Sequence, residues 1–185
     1  MKRVYLIHGW GGSSNGGWFD WLKEEFKKRN IESYAFDMPD TNNPKIELWV
    51  GFLKKNVKKI DKETYFIGHS IGCQTIMRFL EKLNNDKKIG GVIFVAGWFN
   101  LTNEALPSEE DREIAEPWIN TKINFNKIKK HTKNFLAIFS DNDSLVPLSD
   151  SKIFEKELNA KITIMPNQGH FDNTEKIQEV LEFIR

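Results

Sequence analysis

Six short, nearly continuous apolar runs recur along this 185-residue chain, separated by longer stretches in which apolar residues fall three and four apart. The runs are Val4 to Ile7, Ser33 to Asp37, Thr64 to Gly68, Gly91 to Ala96, Phe135 to Phe139 and Lys161 to Met165. A strand that is apolar at successive positions, rather than at every second one, is covered on both faces. The intervening stretches read as amphipathic helices. The first carries Trp18, Trp21, Leu22 and Phe26; the second carries Ile46, Trp49, Val50, Leu53, Val57 and Ile60, with Asn43 as its cap and Pro44 at its first position. Ile76, Phe79, Leu80 and Leu83 follow the third run, Ile153, Phe154 and Leu158 the fifth, and Ile177, Val180, Leu181 and Ile184 the sixth. Such alternation predicts an α/β fold: a three-layer, doubly wound sheet of about six parallel strands with helices on both faces. Ligands bind such sheets beyond the carboxyl ends of the strands, so function belongs in the loops that follow them.

The connection from Trp98 to Asn134 spans 37 residues, more than a plain crossover requires, and is expected to carry a small lid-like insertion at about 98–133. Without a repeat or a low-complexity linker, residues 1–185 read as a single domain. Lys and Arg total 27 against 26 Asp and Glu, so the net charge of +1 offers no overall field for nucleic acid or an anionic membrane. Val4 to Ile7 is too short for a signal-peptide core, and no stretch nears the ~20 apolar residues of a membrane span. Cys73, the one cysteine, excludes an internal disulfide and fits a reduced, cytoplasmic protein. No Cys/His cluster has the spacing of a metal site, and neither metal nor cofactor is expected.

The third run enters Gly68-His69-Ser70-Ile71-Gly72 and then a helix. A serine on a strained strand-to-helix turn points its hydroxyl outward, and the positions two before and two after it leave no room for a side chain. Composition alone yields only about 0.04 such motifs in a chain of this length. A serine hydroxyl needs a base to take its proton and a carboxylate to orient that base. Of four histidines, His170 follows the last strand and is the preferred base. His69 reads as a structural hydrogen-bonding residue pointing away from the serine, His131 as a solvated side chain in the basic stretch 127–133, and His8 as part of the first loop. Ser140 to Pro147 supplies two candidate acids, Asp143 and Asp141, with Asp143 preferred because Asp141 could close a turn instead. The order Ser70, Asp143, His170 is that of α/β-hydrolases.

Backbone N–H groups must also face the developing oxyanion. Ile71, after the serine, supplies one; Trp10, in the loop His8-Gly9-Trp10-Gly11-Gly12, is expected to supply the second. This glycine-rich loop lacks the third glycine of a dinucleotide fingerprint and the lysine of a P-loop, which excludes nucleotide binding. Trp98, Phe99, Trp118 and Phe171 are candidate walls of an apolar acyl pocket, although ordinary core packing competes for the same residues. Cys73, in the helix after Ser70, reads as a small core residue. The acidic block Glu104 to Glu116 and the basic block Lys122 to Lys133 read as solvated faces.

HGWGGSSNGGWFDWLK, FDMPD, GHSIG, VAGWF, EPW, SDNDSLVP and GHFDNTE together resemble the α/β-hydrolase superfamily, and more narrowly its small single-domain serine hydrolases of the retinoblastoma-binding protein nine and YdeN type. The resemblance covers nearly the whole chain. It implies a minimal hydrolase sheet of six strands, a triad of Ser70, Asp143 and His170, and an acid loop in which Val146 and Pro147 follow Asp143. The function expected is hydrolysis of a small ester, thioester or activated amide through an acyl-enzyme. The alternatives are transfer to an acceptor other than water, and a protein-interaction module that keeps the fold with little turnover. The partner expected is a small acyl substrate, with an unspecified protein partner compatible with the second alternative.

Overall fold

The structure, a computed structural model, describes residues 1–184. Six strands form one sheet: β1 (Arg3–Ile7), β2 (Glu32–Phe36), β3 (Thr64–His69), β4 (Gly91–Val95), β5 (Phe135–Ser140) and β6 (Lys161–Met165), in the order β2-β1-β3-β4-β5-β6. Every neighbouring pair is parallel. The helices are α1 (Gly17–Lys28), α2 (Ile46–Asn56), α3 (Ile71–Leu80), α4 (Glu109–Asn120), α5 (Phe125–Ile128), α6 (Ser151–Leu158) and α7 (Gln178–Phe183).

Alternation along the strands sorts the core into two layers. Val4, Leu6, Ile67, Ile93, Val95, Leu136 and Ile138 pack with α1 and α7 on one face; Tyr5, Ile7, Phe66, Val92, Phe94 and Phe139 pack with α2, α3 and α6 on the other. The central strands β1 and β4 and the neighbouring β5 are buried throughout. The edge strands β2 and β6 are only half covered, because each has a neighbour on one side alone. Since α1 and α2 leave β1 and β2 on opposite faces, the chain reverses direction around β1 and β3 and opens a crevice at their carboxyl ends.

Two local expectations are corrected. The second helix begins at Ile46 after an extended Lys45, not at Pro44 behind an Asn43 cap. Asn43 N–H instead closes a turn on Asp40 O, and Pro44 O accepts Trp118 Nε1–H at 2.9 Å, so the segment is drawn into a tertiary contact before the helix starts. The helix also ends at Asn56, short of Val57 and Ile60, which nonetheless pack on the core. His131 is buried at 1% exposure, not solvated. Its Nδ1 hydrogen-bonds Lys87 O at 2.8 Å and its carbonyl accepts Ile89 N–H, which ties the approach to β5 against the approach to β4.

The long connection after β4 holds a 3-10 turn (Asn103–Ala105), α4 and α5. A reciprocal Ser108/Asp111 capping box starts α4, and buried Arg78 closes its far end by donating to Trp118 O (2.8 Å) and Thr121 O (2.9 Å). Among the described residues no ion pair joins the acidic block to the basic one; Arg112 pairs with Glu109 inside α4. The entrance to the connection is fixed by Asp150, fully buried, which accepts Phe99 N–H (2.6 Å), Asn100 N–H (2.8 Å) and Asn100 Nδ2–H (2.8 Å). Asp150→Ala would leave two backbone N–H groups without an acceptor and should lower the unfolding free energy by about 2–4 kcal/mol, read by urea denaturation.

Candidate active site

Ser70 caps α3 at φ 52°, ψ −122°, a left-handed conformation that a non-glycine residue adopts only at a cost of about 1–3 kcal/mol. Ser70 N–H donates to Val95 O (2.9 Å) and Ser70 O accepts Cys73 N–H (2.9 Å), so the turn is gripped from both sides. A Cβ on Gly68 would stand 2.7 Å from Cys73 N, and one on Gly72 would stand 2.6 Å from His8 O and closer still to Ile7 O. The motif's two glycines are therefore required by contact with α3's first turn and with the end of β1. Cys73 itself is buried with its Sγ toward Gly68 O, and burial pushes its thiol pKa up, away from the reactive thiolate.

Ser70 opens into a cavity of about 410 Å³ whose wall also includes Trp10, Ile71 and His170. His170 Nδ1 lies 2.9 Å from Asp143 Oδ2, with the two side chains 11% and 4% exposed. The other carboxylate oxygen, Asp143 Oδ1, accepts Leu145 N–H (2.9 Å) and Val146 N–H (3.1 Å), which fixes the carboxylate plane. Asp141 turns elsewhere: its Oδ1 accepts Asn167 N–H at 2.8 Å. The two loops interlock further. Ser140 Oγ accepts Gln168 N–H (2.9 Å), Asn142 Oδ1 accepts both Ser140 Oγ–H (2.8 Å) and Gly169 N–H (2.8 Å), and Thr174 Oγ1 bonds Gln168 Oε1 (3.0 Å). Among the described residues no hydrogen bond joins Ser70 Oγ to His170, a contact that in unliganded sites commonly tightens only around substrate.

The first loop is set by His8. Met38 N–H donates to His8 Nε2 (3.0 Å), so the proton resides on Nδ1, which donates to Gly9 O (2.7 Å). Burial holds the His8 pKa below its ordinary value, keeping that nitrogen an acceptor. Gly9 O also accepts Gly12 N–H (3.1 Å). Across the trans peptide, Trp10 N–H points opposite to that anchored carbonyl and has no acceptor among the described residues. Ile71 N–H, first of α3, has no intrahelical acceptor. Trp10 and Ile71 line a common cavity with Ser70. Asp37, through Ser14 N–H at 2.7 Å, fastens the far side of the same loop.

His69, read from sequence as a structural hydrogen-bonding residue pointing away from the serine, makes such a bond and also lines the cavity. Its Nε2 donates to His170 O (2.8 Å), its ring lies 5.1 Å from that of His170, and Trp18 meets it edge-on at 5.8 Å. The dipeptide His69-Ser70 thus grips residue 170 by its backbone and confronts its side chain. Of the four aromatic candidates, Trp98 and Phe171 line the cavity. Phe99 packs on Phe125 and Phe154, and Trp118 stacks edge-on with Trp49 deeper in the core; neither reaches the cavity. Leu101, Ala105, Leu145 and Asp172 line it without having been singled out. Leu145 and Asp172 each lie two residues beyond a candidate catalytic side chain, which is the only sequence signal that marks them.

A parallel six-stranded sheet with a Gly-x-Ser-x-Gly turn at the end of β3 defines an α/β hydrolase. The profile of the serine hydrolase family matches residues 4–182, and the chain belongs to that family. It is 32% identical to YdeN of Bacillus subtilis (strain 168) over 170 residues, 92% of this chain and 86% of that protein. It is 25% identical to the serine hydrolase RBBP9 of Rattus norvegicus over 179 residues, 94% of this chain and 89% of that one. The crystal structure of the B. subtilis ydeN gene product superposes with a TM-score of 0.88 at 29% identity, over 98% of this chain and 96% of that one. Est1E from Butyrivibrio proteoclasticus shares the fold, with a TM-score of 0.71 at 18% identity over 99% and 85% of the two chains. No helix among the described residues is long and apolar enough to cross a membrane.

Burial, with the charge of His170 second, lowers the His69 pKa from 6.5 to about 3. Between those values the unfolded chain binds a proton that the native chain does not, so stability falls as pH drops through the window, by up to about 1.4 kcal/mol per pH unit for this group. His69→Phe should flatten the acid limb of a stability–pH profile measured by chemical denaturation.

Proposed function

We propose that this serine hydrolase cleaves small esters, thioesters or activated amides through an acyl-enzyme on Ser70. The observation that supports the reading is the 2.9 Å contact between Asp143 and His170, together with His170 and Ser70 lining one cavity. His170 Nε2 takes the Ser70 proton as Oγ attacks the carbonyl carbon, and Trp10 and Ile71 N–H groups hold the oxyanion. As the tetrahedral intermediate collapses, His170 returns the proton to the departing alcohol, thiol or amine. Water then attacks the acyl-enzyme, again giving its proton to His170, and the carboxylic acid leaves as Ser70 recovers its hydrogen. Asp143 keeps the imidazole oriented and stabilises its charged form. The 98–133 connection contributes Trp98, Leu101 and Ala105 to the cavity wall and acts as a short lid. A single buried thiol with no disulfide partner supports a reducing, cytoplasmic setting.

Ser70→Ala should reduce turnover of short p-nitrophenyl esters by at least about 10³-fold with an unchanged circular dichroism spectrum. A serine-directed phosphonylating probe should label Ser70 in folded protein and not after heat denaturation, read by peptide mapping. Undiminished turnover in Ser70→Ala would refute the mechanism. Asp143→Asn should lower kcat by about 10²–10⁴-fold, whereas Asp141→Asn should stay within about tenfold of the parent; equal losses would remove the case for Asp143 as the acid.

A further inference from the structure

The net charge of +1 conceals a separation of charge across the molecule. Because every strand is parallel, the strand beginnings and the helix ends that precede them share one edge of the sheet. The segments at that edge, 1–3, 27–32, 54–63, 81–90, 127–134 and 155–161, contain 19 Lys and Arg and 7 Asp and Glu, leaving 8 and 19 for the rest of the chain. Cations at helix C-termini and anions at N-termini are favoured by the helix dipole, which accounts for the direction of the split. The candidate active site opens on the other, acidic edge.

Its lining continues that polarity. Among the described residues the cavity wall includes no Lys or Arg, and Asp172 is its one carboxylate. Lys23, beside the first loop, is already held by Asp20 (2.7 Å) and by Asn15 Oδ1 (2.8 Å). Two of the histidines in the wall, His8 and His69, are kept below their ordinary pKa, chiefly by burial, and add no positive charge near neutral pH. The same cavity of about 410 Å³ is also lined by the aromatic residues Trp10, Trp18, Trp98 and Phe171. One carboxylate, several π faces and no cation form a receptor for an ammonium group: ring quadrupoles attract cations, and a cleft lined by one sign of charge concentrates the opposite sign.

We propose that the site selects esters and thioesters bearing an ammonium group over neutral ones and rejects those bearing a carboxylate, sulfonate or phosphate. Asp172 is the specificity-determining residue. This rests on the reading of Ser70 as the nucleophile.

The test uses three acetyl thioesters of similar size that release a thiol detectable by one reagent: S-acetylthiocholine, S-(3,3-dimethylbutyl) thioacetate, and S-(2-sulfoethyl) thioacetate. At low salt kcat/KM should fall in that order, with about tenfold or more between the ends, and the spread should shrink in 0.5 M NaCl. Asp172→Asn should narrow the cationic-to-neutral ratio within the variant, and Asp172→Lys should raise the anionic-to-neutral ratio. Salt-independent, equal rates for all three thioesters, or ratios unmoved in both variants, would overturn the proposal while leaving Ser70 catalysis intact. Absence of turnover of the neutral thioester together with no phosphonylation of Ser70 would instead refute the underlying mechanism.

Discussion

Ser70 is held at a left-handed φ of 52° by the close crossing of three backbones: the end of β3, the first turn of α3 and the end of β1. The crossing is possible only because Gly68 and Gly72 have no side chains, and it directs the Ser70 hydroxyl and the Ile71 N–H toward one space. The strain of about 1–3 kcal/mol is offset locally by the bonds to Val95 O and Cys73 N, and globally by the buried strands on either side. Each other feature of the site is positioned relative to this turn.

That positioning is done largely by side chains that capture backbone N–H and C=O groups. His8 anchors the Gly9 carbonyl, Asp37 holds Ser14, Asp150 holds Phe99 and Asn100, and Ser140 with Asn142 hold Gln168 and Gly169. His69 completes the set by joining the Ser70 turn to the loop of His170. Loops fixed this way need little reorganisation when charge develops during a reaction, which is where preorganised dipoles are most effective. Two of these anchors, His8 and Asp37, have pKa values displaced below the ordinary value, toward the protonation state their hydrogen bonds require, and burial lowers that of His69 as well.

The same parallel topology that gathers the loops also separates charge. Helices α1 and α2 contribute to this, each with an acidic residue in its first turn and lysines in its last. A nearly neutral chain therefore carries most of its cations near the strand beginnings, away from Ser70, so a whole-chain charge balance is a poor guide to what approaches the site.

The alternation of six strands with helices could be anticipated because continuous apolar runs and helical spacing are local patterns, and the Gly68-His69-Ser70-Ile71-Gly72 turn because its steric demands fall within five residues. Residue order put Asp143 after the fifth run and His170 after the sixth, and the fold brings the two into contact. The edge strands, the late start of α2 and the burial of His131 were not legible, since each depends on a neighbour distant in sequence: a missing strand, Trp118, and Lys87. The aromatic residues illustrate the same boundary. Trp98, Phe99 and Trp118 are all large aromatics, yet of the three only Trp98 lines the cavity, because Phe99 packs on Phe125 and Phe154 and Trp118 on Trp49. The sequence by itself determined which chemistry the chain can hold, through side-chain type and local spacing. Only the tertiary structure decided which side chains share a cavity and what charge surrounds it, because contacts and fields arise between segments that the chain order keeps apart.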